Sequence, residues 1–224
     1  MNYSNIKYND IANGSGVRVS LFVSGCERKC KGCFNFSTWD FNSGNLFTKD
    51  IKNEILKNIT DVRYLGLSIL GGEPLNPNNI EEVNNLIYSF REKFGDSRDI
   101  WLWSGYSFDF KLNRILTKKE INKEIIINNK NEELVNKLYK ENKEDTYFKN
   151  LLNILFNIDY LVEGPYIEEE KNISLAFRGS SNQRIINISK TYITYGNPEK
   201  DIMFIDHSDL FDKRNKELKT FAQN

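Results

Sequence analysis

Three cysteines fall within eight residues, Cys26, Cys30 and Cys33, and they are the only cysteines in the chain. An odd number packed so tightly is not a disulfide framework, which would spread an even number along the sequence. Structural zinc takes four ligands, usually as paired C-x2–4-C units. Here there is no second pair, and the single histidine, His207, lies far along the chain. A 4Fe–4S cluster takes one thiolate per iron. Three cysteines would therefore leave one iron free for a substrate, as catalytic metal sites keep an open position. Unrelated buried thiols and a redox switch are the other readings of the bare spacing. The flanking Arg28, Lys29 and Lys31 favour the thiolate form.

A second group is Gly71-Gly72-Glu73-Pro74. Two glycines can simply make a tight turn. They can also let the backbone approach a ligand closely. A third is Trp103-Ser104-Gly105-Tyr106, where Trp101 and Trp103 fit either core packing or a cofactor wall.

Each group follows a run that reads as a strand: 17–23, 65–70 and 99–103. Between them lie amphipathic patterns for helices over about 48–59, capped by Thr48, and 79–94, with Val83, Leu86, Ile87 and Phe90 inward. Strands alternating with helices predict an α/β fold with a mainly parallel sheet and right-handed crossovers. Such folds place ligands where the strands end. Further strands are expected over 158–162, 174–177 and 185–193.

The expected organisation is one α/β domain over 1–195, interrupted by a charged, helical insertion over 117–150, and a polar tail over 196–224. The insertion reads as a solvated surface decoration, with a partner-docking element as the alternative.

Composition narrows the partners. The 31 basic and 31 acidic residues cancel, so no global field attracts nucleic acid or an anionic membrane. No stretch approaches the roughly 20 apolar residues that span a bilayer, and the first residues lack a signal-peptide pattern. A cytoplasmic location is expected. With one histidine there is little general acid–base equipment, so a cofactor is expected to carry the chemistry.

The run Gly25-Cys26-Glu27-Arg28-Lys29-Cys30-Lys31-Gly32-Cys33-Phe34-Asn35 resembles the cluster loop of the radical S-adenosylmethionine superfamily, and Gly71-Gly72-Glu73 resembles its cofactor cradle. Many members carry an aromatic residue where this chain has Gly32. The Lys-Gly-Cys form resembles the branch that activates anaerobic ribonucleotide reductase. Asn13 to Arg18, Asn35 to Trp39, Leu161 to Pro165 and Arg178-Gly179-Ser180-Ser181-Asn182-Gln183-Arg184 point to the same branch, over about residues 1–116 and 150–189.

The resemblance implies a partial (βα) barrel. It implies a 4Fe–4S cluster on Cys26, Cys30 and Cys33 whose open iron chelates the methionine end of S-adenosylmethionine. Gly71, Gly72 and Glu73 would line the methionine subsite, and Gly32, Cys33 and Phe34 would lie beside the adenine. The implied partners are the large subunit of anaerobic ribonucleoside-triphosphate reductase, which would receive a glycyl radical, and a low-potential, flavodoxin-like electron donor. Arg178 and Arg184 could orient the cofactor carboxylate, hold the partner or form surface ion pairs. An activase of a formate-lyase type is the alternative enzyme, and an iron–sulfur electron carrier the alternative class.

Overall fold

The run Arg18-Val19-Ser20-Leu21-Phe22-Val23 is buried at every position, as an inner strand covered on both faces must be. It belongs to a seven-stranded sheet in a computed structural model describing residues 1–107, 125–126, 145–188, 192–193, 202–203 and 206–213. In chain order the strands are β1 (Asn2–Asp10), β2 (Arg18–Val23), β3 (Asn45–Leu46), β4 (Gly66–Gly71), β5 (Asp99–Ser104), β6 (Ile125–Ile126), β7 (Tyr160–Glu163), β8 (Arg184–Asn187), β9 (Tyr192–Ile193) and β10 (Ile202–Met203). The main sheet runs β3-β1-β2-β4-β5-β7-β8, while β10-β9-β6 form a small second sheet.

The centre is parallel: β2 with β4, β4 with β5, and β5 with β7. The edges are antiparallel, with β1 on β2 at one side and β8 on β7 at the other. The mainly parallel sheet expected from the βαβ pattern therefore holds for the core strands only. Helices α1 (Lys49–Asn58), α2 (Ile80–Phe94) and α3 (Thr146–Asn157) supply the covering layer. Thr48 caps α1 by accepting the Ile51 N–H, which satisfies one of the orphan donors of the first turn.

Strand side chains alternate between faces. Val19, Leu21, Val23, Leu67, Ile69, Ile100, Leu102 and Leu161 point to one aliphatic core, closed by Ile55, Val83, Leu86, Ile87, Phe90, Ile154 and Leu155. The other face carries Trp101, Val162 and Ile185, covered by Ala176, Phe177 and Phe211. It also buries Arg18, whose guanidinium pairs with Asp99 at 2.6 Å and donates to Ser68 and to backbone carbonyls.

Four sequence expectations change. The first residues, for which no element was expected, form β1. It is flanked by the two-residue β3 only at Asn2 and Tyr3, and its polar outward positions hide its alternation. Residues 146–150, assigned to a solvated insertion, open α3, which packs on α2 and buries Phe148, Leu151 and Leu152. Up to 144, that insertion lies outside the described residues apart from the backbone of β6. Residues 174–177 form no strand: Asn172 accepts from the Ser174 N–H and Phe177 has φ of 58°, a turn that extended pairing cannot tolerate. The polar tail supplies Phe211 to the second core and Asp212 as a partner for Arg178. No helix among the described residues is long and apolar enough to cross a membrane.

Candidate functional site

The three small-residue turns meet at one edge of the sheet. β2 runs into Ser24-Gly25 and the cysteine loop, β4 into Gly71-Gly72-Glu73, and β5 into Ser104-Gly105. Register makes the meeting unavoidable, because Val23 sits opposite Gly71 in the parallel pairing. The backbone then locks the turns together. Gly72 N–H donates to the Val23 carbonyl at 2.7 Å and Glu73 N–H to the Gly25 carbonyl at 2.8 Å. A Cβ on Gly72 would lie 2.5 Å from the Gly25 oxygen, and Gly71 has φ of 106°. No residue with a side chain fits that approach without strain.

Asn79 completes the join. Its buried amide nitrogen donates to the Ser24, Gly25 and Glu73 carbonyls at 3.0, 3.4 and 3.1 Å. For that reason it makes no side-chain cap to α2, although it occupies the N-cap position. Glu73 ties in the third turn. Its carboxylate, 1 % exposed, accepts from Leu75 N–H, the Ser104 hydroxyl and Gly105 N–H.

These turns enclose a cavity of about 500 Å³, inside the range of roughly 300–1,000 Å³ typical of small-molecule sites. Its lining brings together Cys26, Cys30, Cys33, Phe34, Gly71, Gly72 and Glu73. Gly32 stands at the loop's outer side, against the carboxylate of Glu168. The opposite rim is the segment 164–183. Tyr166 meets Phe34 edge-on with ring centroids 5.4 Å apart, Lys171 lies over the Phe34 ring, and Lys31 pairs with Glu169 at 3.0 Å.

The arginine-rich stretch of that rim is folded onto itself. Gln183 Oε1 accepts from the Gly179 and Ser180 N–H groups, and its amide donates to the Gly164 carbonyl. Asn182 donates to the Pro165 carbonyl at 2.7 Å. Arg178 pairs with Asp212 and Arg184 with Glu163. The Arg178 pair is buried, not a surface contact.

Electrostatics differ around the cavity. Burial pushes the Cys26 thiol up, against backbone N–H donation from Arg28 and Lys29, while Glu73 adds to the rise. Tyr106 is raised by burial and by Glu73. Desolvation and the hydrogen bond to Glu168 push Tyr166 to about 12. Among the described residues no three His, Cys, Asp or Glu side chains stand close enough to hold a metal ion unaided. The thiols line a shared wall without converging on a point.

The donor set nevertheless fits an iron–sulfur cluster, since three half-buried thiols face one cavity and thiolate is the ligand such clusters take. Three polar atoms of lining residues, Arg28 Nε, Trp39 Nε1 and Arg178 Nε, are buried without a partner. Buried donors are normally satisfied, which is consistent with a cavity built for an acceptor-bearing occupant.

Comparison with known proteins agrees. The family model for a 4Fe–4S single cluster domain matches residues 12–152 and 133–186. The anaerobic ribonucleoside-triphosphate reductase-activating protein of Escherichia coli K12 is 35% identical over 185 residues, 82% of this chain and 96% of the relative. That of Vibrio cholerae is 33% identical over 187 residues, 83% and 97% of the two chains. The chain belongs to this activating-protein family. The phage T4 protein of the same name is 45% identical over 109 residues, 49% of this chain and 69% of the relative.

The sequence left several site residues unread. Asn79 looked like a helix start, Ser104 was noted only within the turn that ends the third strand, and Tyr166 was not singled out. Each acts through a partner distant in sequence, and no local pattern records that.

Proposed function

We propose that this chain is a radical S-adenosylmethionine enzyme that activates anaerobic ribonucleoside-triphosphate reductase. The reading is carried by one observation: the cysteine loop and the glycine turn are fastened together by Asn79 on one cavity. Cys26, Cys30 and Cys33 would hold a 4Fe–4S cluster, with one iron left for the cofactor. Given one electron from the donor, cluster and S-adenosylmethionine would supply, with release of methionine, the 5′-deoxyadenosyl radical that would take a hydrogen atom from a glycine of the reductase large subunit.

The residues bind and position. Gly71, Gly72 and the Glu73 backbone offer acceptors to the cofactor ammonium, with the Glu73 carboxylate supplying negative charge behind them. Cys33 and Phe34 would border the adenine side, with Gly32 behind them on the loop's outer side. The rim formed by Tyr166, Phe177 and Gly179 keeps water from the reacting centre, where hydrogen-atom abstraction needs alignment more than a tuned base. The parallel centre of the sheet, with its ligand edge at the strand ends, fits the partial (βα) barrel of this superfamily. The reading includes a cytoplasmic location and a low-potential, flavodoxin-like donor.

The test is anaerobic reconstitution followed by dithionite reduction and addition of S-adenosylmethionine. Formation of 5′-deoxyadenosine and methionine is expected. A fully loaded cluster that yields neither product would exclude the radical reading.

A further inference from the structure

The two arginines that the sequence offers for a ligand carboxylate are both ion-paired, although Arg178 Nε has no partner of its own. Arg178 donates to Asp212 at 2.7 Å and Arg184 to Glu163 at 2.6 Å. Three cationic side chains line the cavity, those of Lys7, Arg28 and Arg178. Lys7 is an exposed residue of β1, with its ammonium over the Phe22 ring. There the charge remains hydrated.

Arg28 is different. Its guanidinium carbon lies 5.3 Å from the centroid of the Tyr106 ring. Its Nε is buried and has no hydrogen-bond partner, and no ion pair holds the side chain among the described residues. Its stem rests on Gly105, where an added Cβ would lie 2.5 Å from Cδ and 2.8 Å from Nε. The arginine is therefore seated by an aromatic face and a glycine, with its donors left over. A guanidinium offers a planar fork suited to a carboxylate, and an unpaired buried donor is costly to maintain without one.

Glu73 stands beside it. Its Oε2 accepts the Gly105 N–H at 2.8 Å and would lie 3.4 Å from the same added Cβ. The cavity thus carries a carboxylate and, next to it at Gly105, a guanidinium whose Nε has no hydrogen-bond partner. That arrangement complements a zwitterionic α-amino acid group. We propose that Arg28, held by Tyr106 and Gly105, recognises the α-carboxylate at the amino-acid end of S-adenosylmethionine. The inference rests on the cofactor reading above and adds to it the residue that selects the acid end.

The experiment is anaerobic titration calorimetry on the cluster-loaded protein with two probes, S-adenosylmethionine and its decarboxylated analogue. The proteins are the unaltered chain, Arg28→Gln and Arg28→Lys, each checked for iron and sulfide content. Arg28→Gln should weaken S-adenosylmethionine roughly ten- to one-hundred-fold, the range for a lost hydrogen bond to a charged group. The same variant should leave the analogue's already weaker affinity within about twofold, and Arg28→Lys should recover part of the loss. Equal weakening of both probes, or no weakening of either, would overturn the assignment. Loss of iron from both variants would overturn it too, by giving Arg28 to cluster assembly. If the unaltered, loaded protein binds neither probe, it is the cofactor reading that fails.

Discussion

The two faces of the central strands do different work with alternate residues of the same segments. On the helix side, Val19, Leu21, Val23, Leu67 and Ile69 are aliphatic and wholly buried, and they meet only other apolar side chains. On the opposite side, the neighbours Arg18, Ser20 and Ser68 are also fully buried but polar, and the strand ends open onto the cavity. One face gains stability from apolar burial. The other is ordered by directional contacts, whose loss leaves unpaired groups behind. A polar residue in a buried strand is thus a marker of the working face.

This division can be broken from either side. The largest effect should come from Cys30→Ser, which is predicted to abolish both cluster retention and reductase activation. The thermal midpoint of the cluster-free protein should move by no more than about 2 °C, since a half-exposed loop residue contributes little to either core. Iron analysis and a melting curve check both halves. Arg18→Ala should cost about 3–5 kcal/mol in denaturant unfolding, because it removes the wholly buried partner of the Asp99 carboxylate, the Ser68 hydroxyl and the Leu67 carbonyl. A cost below about 1 kcal/mol would mean that the polar layer is not structural.

Leu86→Ala should cost about 2–5 kcal/mol through a cavity between α2 and the sheet. Cofactor affinity of the folded protein should be unchanged, and calorimetry below the unfolding transition would reveal any leak between the faces. Asn79→Ala is the borderline case and the smallest of the three losses of stability, at about 1–3 kcal/mol for unpaired buried carbonyls. Unlike Leu86→Ala, it should also weaken S-adenosylmethionine binding, because it loosens the turn at Gly25 from that at Glu73.

The same division explains what could be read from the sequence. The central strands, α1 and α2 were legible because their apolar periodicity is local. The three cysteines and the glycine pair were legible because their chemistry requires residue types at fixed spacing. β1 was not, since a strand near the sheet's edge alternates weakly when its outer residues face water. α3 was missed because its apolar face follows a Lys-, Glu- and Asn-rich segment that masks its start. The Arg178–Arg184 stretch was recognisable but its role was not. Its side chains are committed to Asp212, Glu163, Gly164 and Pro165, partners that only the fold brings near. Arg28 passed as one of several charges favouring thiolates until its lack of a partner could be seen.

The central claim concerns what leaves this cavity: a radical delivered to a reductase. The direct measurement is the electron paramagnetic resonance spectrum of the anaerobic reductase large subunit after incubation with the reduced, cluster-loaded protein and S-adenosylmethionine. The predicted result is a glycyl-radical doublet that requires all three components and disappears with Cys30→Ser. A silent reductase beside a formate-lyase-type enzyme that does acquire the doublet would contradict the assignment of partner. Silence in both, with the cluster intact and reduced, would contradict the radical chemistry itself.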